Sequence, residues 1–373
     1  MRTTLPSLLR AAAAFADASP RDLSVQTGII KSRVGRILRG ETPPRPHETA
    51  RLLEACGFDP ALTQQVVAAG SHTLLAILLA SYRPCQLVDP FPLSACRLTI
   101  DKLAIVFNPV DADRLLAVAR KHGSPARPKH YRMAFYGHGV RVDHAPMAAH
   151  AQMRRLSRIE FNPDHALGKS NPYPDARSFV SKLWPLLEPA EAEITQIHVT
   201  VDLPVSVHDV QGITDRKQKF NVFIGDGLQT IYCGTRDSGC QIAIYDKRLE
   251  QHEKGLSAGV AAPLTRFEAR IQRSGLELLA LPTLANPFKA LRLFLLRPDG
   301  LPLERRLIVE YARHVGLPSL KGELAPNEFN ALCRELEQSD ATPIVPHPRD
   351  VYEEKWPQVA RSLLAALRLG GTP

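Results

Sequence analysis

The chain has 373 residues, a formal net charge of +9 and a pI near 9.3, so it exceeds one small domain and favours a polyanionic partner. Aromatic residues make up only 6%, which leaves few platforms for stacking bases, and 31 prolines exclude a long helical rod. The longest apolar run, Leu74 to Ala80, is too short for a bilayer, and the N-terminus lacks a convincing cleavage site. A cytoplasmic protein with no membrane anchor is therefore expected. The six cysteines form no CxxC pair and no zinc spacing, which fits reduced, buried thiols.

Residues 4–58 read as a series of short helices. Leu5, Leu8, Leu9 and Ala12 fall at helical spacing. Ser19-Pro20 supplies an N-cap and a first-turn proline for a second helix, and Gly28 marks a tight turn. A short helix over Ile30 to Leu38 places Ile30, Val34, Ile37 and Leu38 inward and leaves Lys31, Ser32, Arg33 and Arg36 outward. Gly40 and Pro43-Pro44 end it, and Glu48 to Cys56 begins the next. This layout resembles the Xre/Cro-like helix-turn-helix family, which implies that Lys31, Ser32, Arg33 and Arg36 contact duplex DNA. A small helical bundle that binds protein is the alternative.

The helical pattern fades after Tyr82, and residues 83–94 read as a linker. From Leu98 the period becomes two. Strands are predicted over 101–107, near 132–136, over 157–162 and over 194–205, with helices over 112–121 and 176–187 between them. A hairpin follows over 228–250, LQTIYCGTRDSGCQIAIYDKRLE, and then a strand over 264–272.

Alternation in these strands separates two faces. Ile159 and Phe161 oppose Arg158, Glu160 and Asn162; Ile197, Val199 and Val201 oppose His198, Thr200 and Asp202; Phe267 and Ala269 oppose Arg266, Glu268 and Arg270. In the hairpin, Gln241, Ala243, Tyr245 and Lys247 share one face by the same period. A tyrosine beside a lysine suits attack of a phenolate on phosphorus near a fixed positive charge. Carboxylates, a histidine and arginines on one face suit a divalent cation and a phosphodiester. An ordinary solvated sheet face with cross-strand ion pairs, and an ordinary hairpin tyrosine, are the alternatives.

The motifs RIEFNP (158–163), IHVTVDL (197–203), YCGTRDS with IAIYDKRLE (232–250) and LTRFEARIQR (264–273) stand in an order and spacing that resemble the Rep_trans family. These are rolling-circle plasmid replication initiators, phage relatives and MobT-like conjugative relaxases. The resemblance covers about residues 95–290 and implies an α+β fold. An all-α helix-turn-helix domain (1–82) precedes an antiparallel-sheet nickase domain (95–290) and a helical C-terminal part (291–373).

It also implies Tyr245 as nucleophile on single-stranded origin DNA, a 5′-phosphotyrosyl intermediate and a free 3′-OH, with Tyr232 as fallback. Glu160, Asp202 and Glu268, joined by His198, are the implied ligands of Mg²⁺ or Mn²⁺. Arg236, Lys247 and Arg266 are the implied charge-stabilising groups. The chain departs from the family at His198, where an aspartate is usual, and at Ala243, where arginine is frequent. His198 reads either as a ligand or as a neutral histidine. The output is replication initiation or, with the same chemistry, conjugative relaxation; a DNA-binding regulator lacking the chemistry is the rival.

Leu291 to Leu369 reads as amphipathic helices over 304–314, 326–337 and 353–367. Arg292, Arg305, Arg306 and Arg313 either track phosphates or sit on solvated helix faces. This part suits formation of a homodimer or recruitment of a host helicase.

Overall fold

The computed structural model describes residues 9–10, 12–13, 16, 18–56, 90–147, 156–167, 175–214, 219–224, 228–235, 237–253, 263–297, 303–322, 324–338 and 345–369. Arg236, the apolar run 74–80, residues 57–82 and most of the expected linker lie outside these.

At the N-terminus stand α1 (Pro20–Thr27), α2 (Lys31–Arg39) and α3 (Pro46–Ala55). Ser19 caps α1: its hydroxyl accepts from the Asp22 N–H, and the Asp22 carboxylate accepts from the Ser19 N–H, forming a capping box. Gly28 ends α1 at φ +67°, where a side chain would be strained. Leu9, Leu23, Val34, Ile37, Leu38, Leu52 and Leu53 form a core of their own. Ile30 departs from expectation. It is the N-cap of α2 and is 74% exposed, because the helix starts one residue later than the apolar spacing implied.

The rest of the described chain is a mixed α+β assembly. Its elements are β1 (Arg97–Phe107), α4 (Ala112–His122), β2 (Ser124–Pro125), β3 (Tyr131–Gly137), β4 (Val140–Pro146), β5 (Ser157–Phe161), α5 (Pro163–Leu167), α6 (Ala176–Leu183) and β6 (Glu193–Leu203). There follow β7 (Val210–Thr214), β8 (Phe220–Ile224), β9 (Leu228–Cys233), β10 (Cys240–Asp246), α7 (Lys247–Glu253), β11 (Thr265–Glu277) and β12 (Leu291–Leu295). The chain continues through α8 (Leu303–Val315), α9 (Pro326–Gln338) and α10 (Pro348–Leu369).

Ten strands form one antiparallel sheet in the order β2-β3-β4-β5-β1-β6-β11-β10-β9-β8. The apolar alternates of β1, β5, β6 and β11 (Ile105, Ile159, Ile197, Val199, Phe267) share one core with Leu115 of α4, Phe179 of α6, and Tyr352 and Trp356 of α10. Burial of that face supplies the main stabilisation, at about 25 cal/mol per Å² of apolar surface. The polar alternates therefore face away from the helices.

A second, two-stranded sheet pairs β12 with β7, so 291–295 is a strand where sequence periodicity implied only helices. It lies against the hairpin. A Cβ on Gly212 would meet Ile244 Cδ1 at 3.0 Å and Leu291 Cδ1 at 2.8 Å, so a larger residue here would have to displace these side-chain ends beneath the strand that carries Tyr245. Phe294, Val309, Ala312, Phe329 and Leu332 then bind α8 and α9 to β12. Arg292 pairs with Glu337, Arg305 with Glu335, and Arg313 with Asp209 and Glu310. The Arg306 side chain lies outside the description. The five described cysteines form no disulfide with one another, and no described helix is long and apolar enough to cross a membrane.

Candidate DNA-processing site

Strand register places the polar residues in rows. Asp202 of β6 stands opposite Arg266 of β11, which stands opposite Tyr245 of β10. The next row holds Thr200, Glu268, Ala243 and Tyr232. The third holds Lys102, His198, Arg270 and Gln241. The face read as polar is thus a continuous surface, as alternation implied, but most of it is buried by its own ion pairs.

Asp101 joins this surface through an irregularity. Between Ile100 and Lys102 the β1–β6 register slips by one residue, leaving Asp101 as the extra residue of a bulge. Its Oδ2 accepts from Arg266 Nη1 at 2.7 Å. Arg266 also forks onto Asp202, Nε to Oδ1 at 2.6 Å and Nη2 to Oδ2 at 2.7 Å. Burial alone would weaken the guanidinium, but the bonds and charges of Asp202 and Asp101 outweigh it and raise its pKa further.

Tyr245 is 8% exposed, and its hydroxyl donates to Glu268 Oε2 at 3.3 Å. Burial, and then the Glu268 charge, push the phenol well above its ordinary pKa, with Arg266 opposing. The phenol is held protonated. Glu268 also accepts from His198 Nδ1 at 2.7 Å and from Arg270 Nη2 at 2.8 Å. Burial would raise its carboxyl, but these two partners outweigh it and bring it down to about 2. Arg270 reaches from Glu268 to the face of the Tyr232 ring, 5.4 Å from its centroid. Glu268 and Tyr232 are the two residues paired with Ala243, so Arg270 brings a guanidinium beside that position.

The four expected metal ligands do not meet. Glu160 lies opposite Ala104, which lies opposite Gln196, six residues along β6 from Asp202. At the rise of a strand that separation is roughly 20 Å. Glu160 is instead held by Lys102 at 2.7 Å and by Arg158. Both Asp202 oxygens are taken by Arg266. The Gln196 amide lies 2.9 Å from His198 Nε2, which selects the tautomer whose Nδ1–H donates to Glu268 and leaves neither ring nitrogen for a cation. Among the described residues no three His, Cys, Asp or Glu side chains converge on one point. This donor set does not fit a metal.

The expected charge-stabilising groups are also redistributed. Lys247 does not continue the strand. Asp246 Oδ1 accepts from the N–H groups of Arg248 and Leu249 and starts α7, where Lys247 pairs with Glu250 at 2.5 Å. Arg236 lies outside the described residues. Arg266 is within the site, fixed between two aspartates. Sequence reasoning set Arg270 on this face without a role and passed over Asp101; the acid-base pair Asp101-Lys102 opening an otherwise apolar strand was the available signal.

Beside Tyr245 runs a cleft of about 320 Å³ lined by Asp101, Tyr232, Tyr245, Asp246, Glu250, Glu253, Glu268 and Arg270 among others. A larger one, about 850 Å³, occupies the β3–β4–β5–β1 side of the same face, and Asp101 lines both.

In the N-terminal unit, Lys31, Ser32 and Arg36 lie exposed on α2. Arg33 does not. Its Nε and Nη2 fork onto Glu48 of α3 at 2.5 and 2.7 Å, and that bond, with a backbone N–H from Arg45, outweighs burial to bring Glu48 to about 2. Arg33 braces α2 against α3, with 25% of its side chain left exposed.

Residues 7–66 match the model of a helix-turn-helix domain. No curated protein matches the chain. A solved structure of a rolling circle replication initiator protein from Geobacillus stearothermophilus is similar over 59% of this chain and 85% of that one, at 15% identity and a TM-score of 0.33. At that level the likeness carries nothing about this chain's chemistry. The protein thus joins a helix-turn-helix DNA-binding domain to a large antiparallel sheet whose polar face holds a buried tyrosine.

Proposed function

We propose that the protein initiates rolling-circle replication of a mobile element: the helix-turn-helix domain binds origin duplex, and Tyr245 cleaves one strand. The observation that carries the reading is the Tyr245 hydroxyl, set against Glu268 and beside Arg266 and Arg270 on one cleft of the polar face. The resemblance of the motif order to Rep_trans implies this same residue as nucleophile.

In the reaction so read, Tyr245 Oη attacks the scissile phosphorus. The Oη–P bond forms, the P–O3′ bond breaks, and the phosphate stays on the enzyme as a 5′-phosphotyrosine. Glu268 Oε2 is the acceptor within reach of the phenolic proton; the leaving 3′ oxygen takes a proton from solvent. Because Glu268 is a weak base, the proton leaves only as phosphorus takes up the phenolate charge. Arg270 steadies Glu268, and Arg266 places positive charge next to the phenol from a position fixed by Asp202 and Asp101. Among the described residues the cleft lining holds five carboxylates, Asp101, Asp246, Glu250, Glu253 and Glu268, and one cation, Arg270, so an incoming phosphodiester needs its charge screened. Mg²⁺ and Mn²⁺ are therefore variables of the assay rather than steps of the mechanism.

The test is nicking of a supercoiled plasmid carrying the element's own origin, with each cation in turn. Relaxed product and an SDS-resistant protein–DNA adduct, both lost in Tyr245→Phe, are the expected outcome. Sequence-specific binding with no nick under either cation would favour the second reading, a DNA-binding regulator on this scaffold. Its supporting observation is the burial of the Tyr245 hydroxyl against a carboxylate.

A further inference from the structure

Between Asp113 and Asp143 the chain has no acidic residue but has seven Lys or Arg and three His, most of the excess behind the net charge of +9. The fold gathers this block in one place: the end of α4, the edge strand β2, the loop 126–130, and β3 with its turn to β4. Arg120, Lys121, Arg127, Lys129 and Arg132 are all exposed there. Cations on an edge strand also discourage edge-to-edge pairing, but that purpose needs one or two rather than a long acid-free block.

The block opens onto the larger cleft. Lys129, His130, Tyr136, Arg141, Lys102 and Arg158 line it. The acids within it are already matched: Asp143 by Arg141 at 2.8 Å and by Arg158 at 3.3 Å, Glu160 by Lys102 and Arg158. Tyr136 is 50% exposed and stands opposite Arg141, so a ring face lies beside the cations. At its far end the cleft reaches Asp101, and through it the Tyr245 cleft.

We propose that this groove binds single-stranded DNA, with Arg127, Lys129 and Arg132 on the phosphates and Tyr136 stacking a base, and delivers the strand toward Tyr245. The inference rests on the nicking reading for its direction, not for the binding itself. A basic track with an aromatic platform is what sequence-tolerant single-strand binding requires. The same cations are set against an acid-rich catalytic cleft, so the strand would be held by the groove and only its scissile phosphate brought among the carboxylates.

The test uses the full chain carrying Tyr245→Phe, so that binding is read without chemistry, and a labelled oligothymidylate as probe over a salt series. With Arg127→Ala, Lys129→Ala and Arg132→Ala combined, the slope of log K against log salt falls by about 2, and affinity at roughly 0.1 M salt falls about 100-fold. Lys129→Ala alone lowers the slope by about 0.7. Tyr136→Ala weakens binding about tenfold, and Tyr136→Phe restores it. An unchanged slope in both the triple and the Lys129 variant overturns the proposal and leaves an edge guard only. Groove-dependent binding in a wild-type chain that forms no adduct would overturn the nicking reading and leave this one standing.

Discussion

In the helix-turn-helix unit a half-buried ion pair, Arg33 with Glu48, holds a short helix in place while Lys31, Ser32 and Arg36 of that helix stay in solvent. On the sheet the proportion is reversed: Asp202, Glu268, Arg266 and Tyr245 are themselves buried, and each is bound to another of the group or to Arg270, His198 or Asp101. The first arrangement separates the brace from the contact. The second makes the brace and the reactive group one network, so stability and chemistry there are changed together.

The sharpest break of this contrast is Arg266→Met. It leaves Asp202 and Asp101 without their common partner, and removal of one member of a buried pair costs about 3–5 kcal/mol. Urea unfolding of the full chain should show that loss in the sheet transition while the helix-turn-helix transition stays put. A chain that tolerates Arg266→Met with a change below about 1 kcal/mol would mean that the network is not integral to the sheet. Lys31→Ala and Arg36→Ala should each lower the salt slope of duplex binding by about 0.9 with unchanged melting, as residues whose work is contact rather than support.

Arg33→Ala should do the opposite, lowering the melting temperature of the N-terminal unit and losing DNA binding only through that. The pH dependence follows the same pair. Glu48 lies at about 2 in the folded chain against 4.5 for the free side chain. A depressed folded value gives stabilisation that is complete above about pH 4.5 and fades as pH falls toward 2. An acid titration of the helical signal should move to higher pH in Arg33→Ala; coincident curves would detach Arg33 from the brace. The smallest effect is expected at Lys247→Ala. Its half-buried pair with Glu250 at i,i+3 is worth about 0.3–0.5 kcal/mol, and adduct formation should stay within twofold of the parent.

What the sequence disclosed follows from how local each feature is. Alternation along 194–205 and 264–272 assigned Asp202, Arg266 and Glu268 to one face correctly, because a strand's two faces are set by its own residues. The cap at Ser19 and the turn at Gly28 were equally local. Lys247 failed because alternation was carried past Asp246, whose carboxylate caps a helix and ends the period. The short strands β7, β8 and β12 escaped because five residues give too little pattern to separate from loop or helix. The ligand set failed for a different reason. Whether Glu160 meets Asp202 depends on the register between β5, β1 and β6, which only tertiary pairing fixes, and the bulge that presents Asp101 is invisible for the same cause.

The triad of Asp101, Asp202 and Arg266 joins residues 165 and 64 positions apart along the chain. Closing such long loops is slow, since their entropy is lost before any distant contact compensates. During synthesis the N-terminal helices emerge first and are complete within some 60 residues, whereas the polar face has no Arg266 until β11 has been made and inserted between β6 and β10. Every unfinished or truncated chain ending before residue 265 therefore carries the DNA-recognition unit without the reactive centre. Such fragments would occupy the same duplex sites and compete with the full protein.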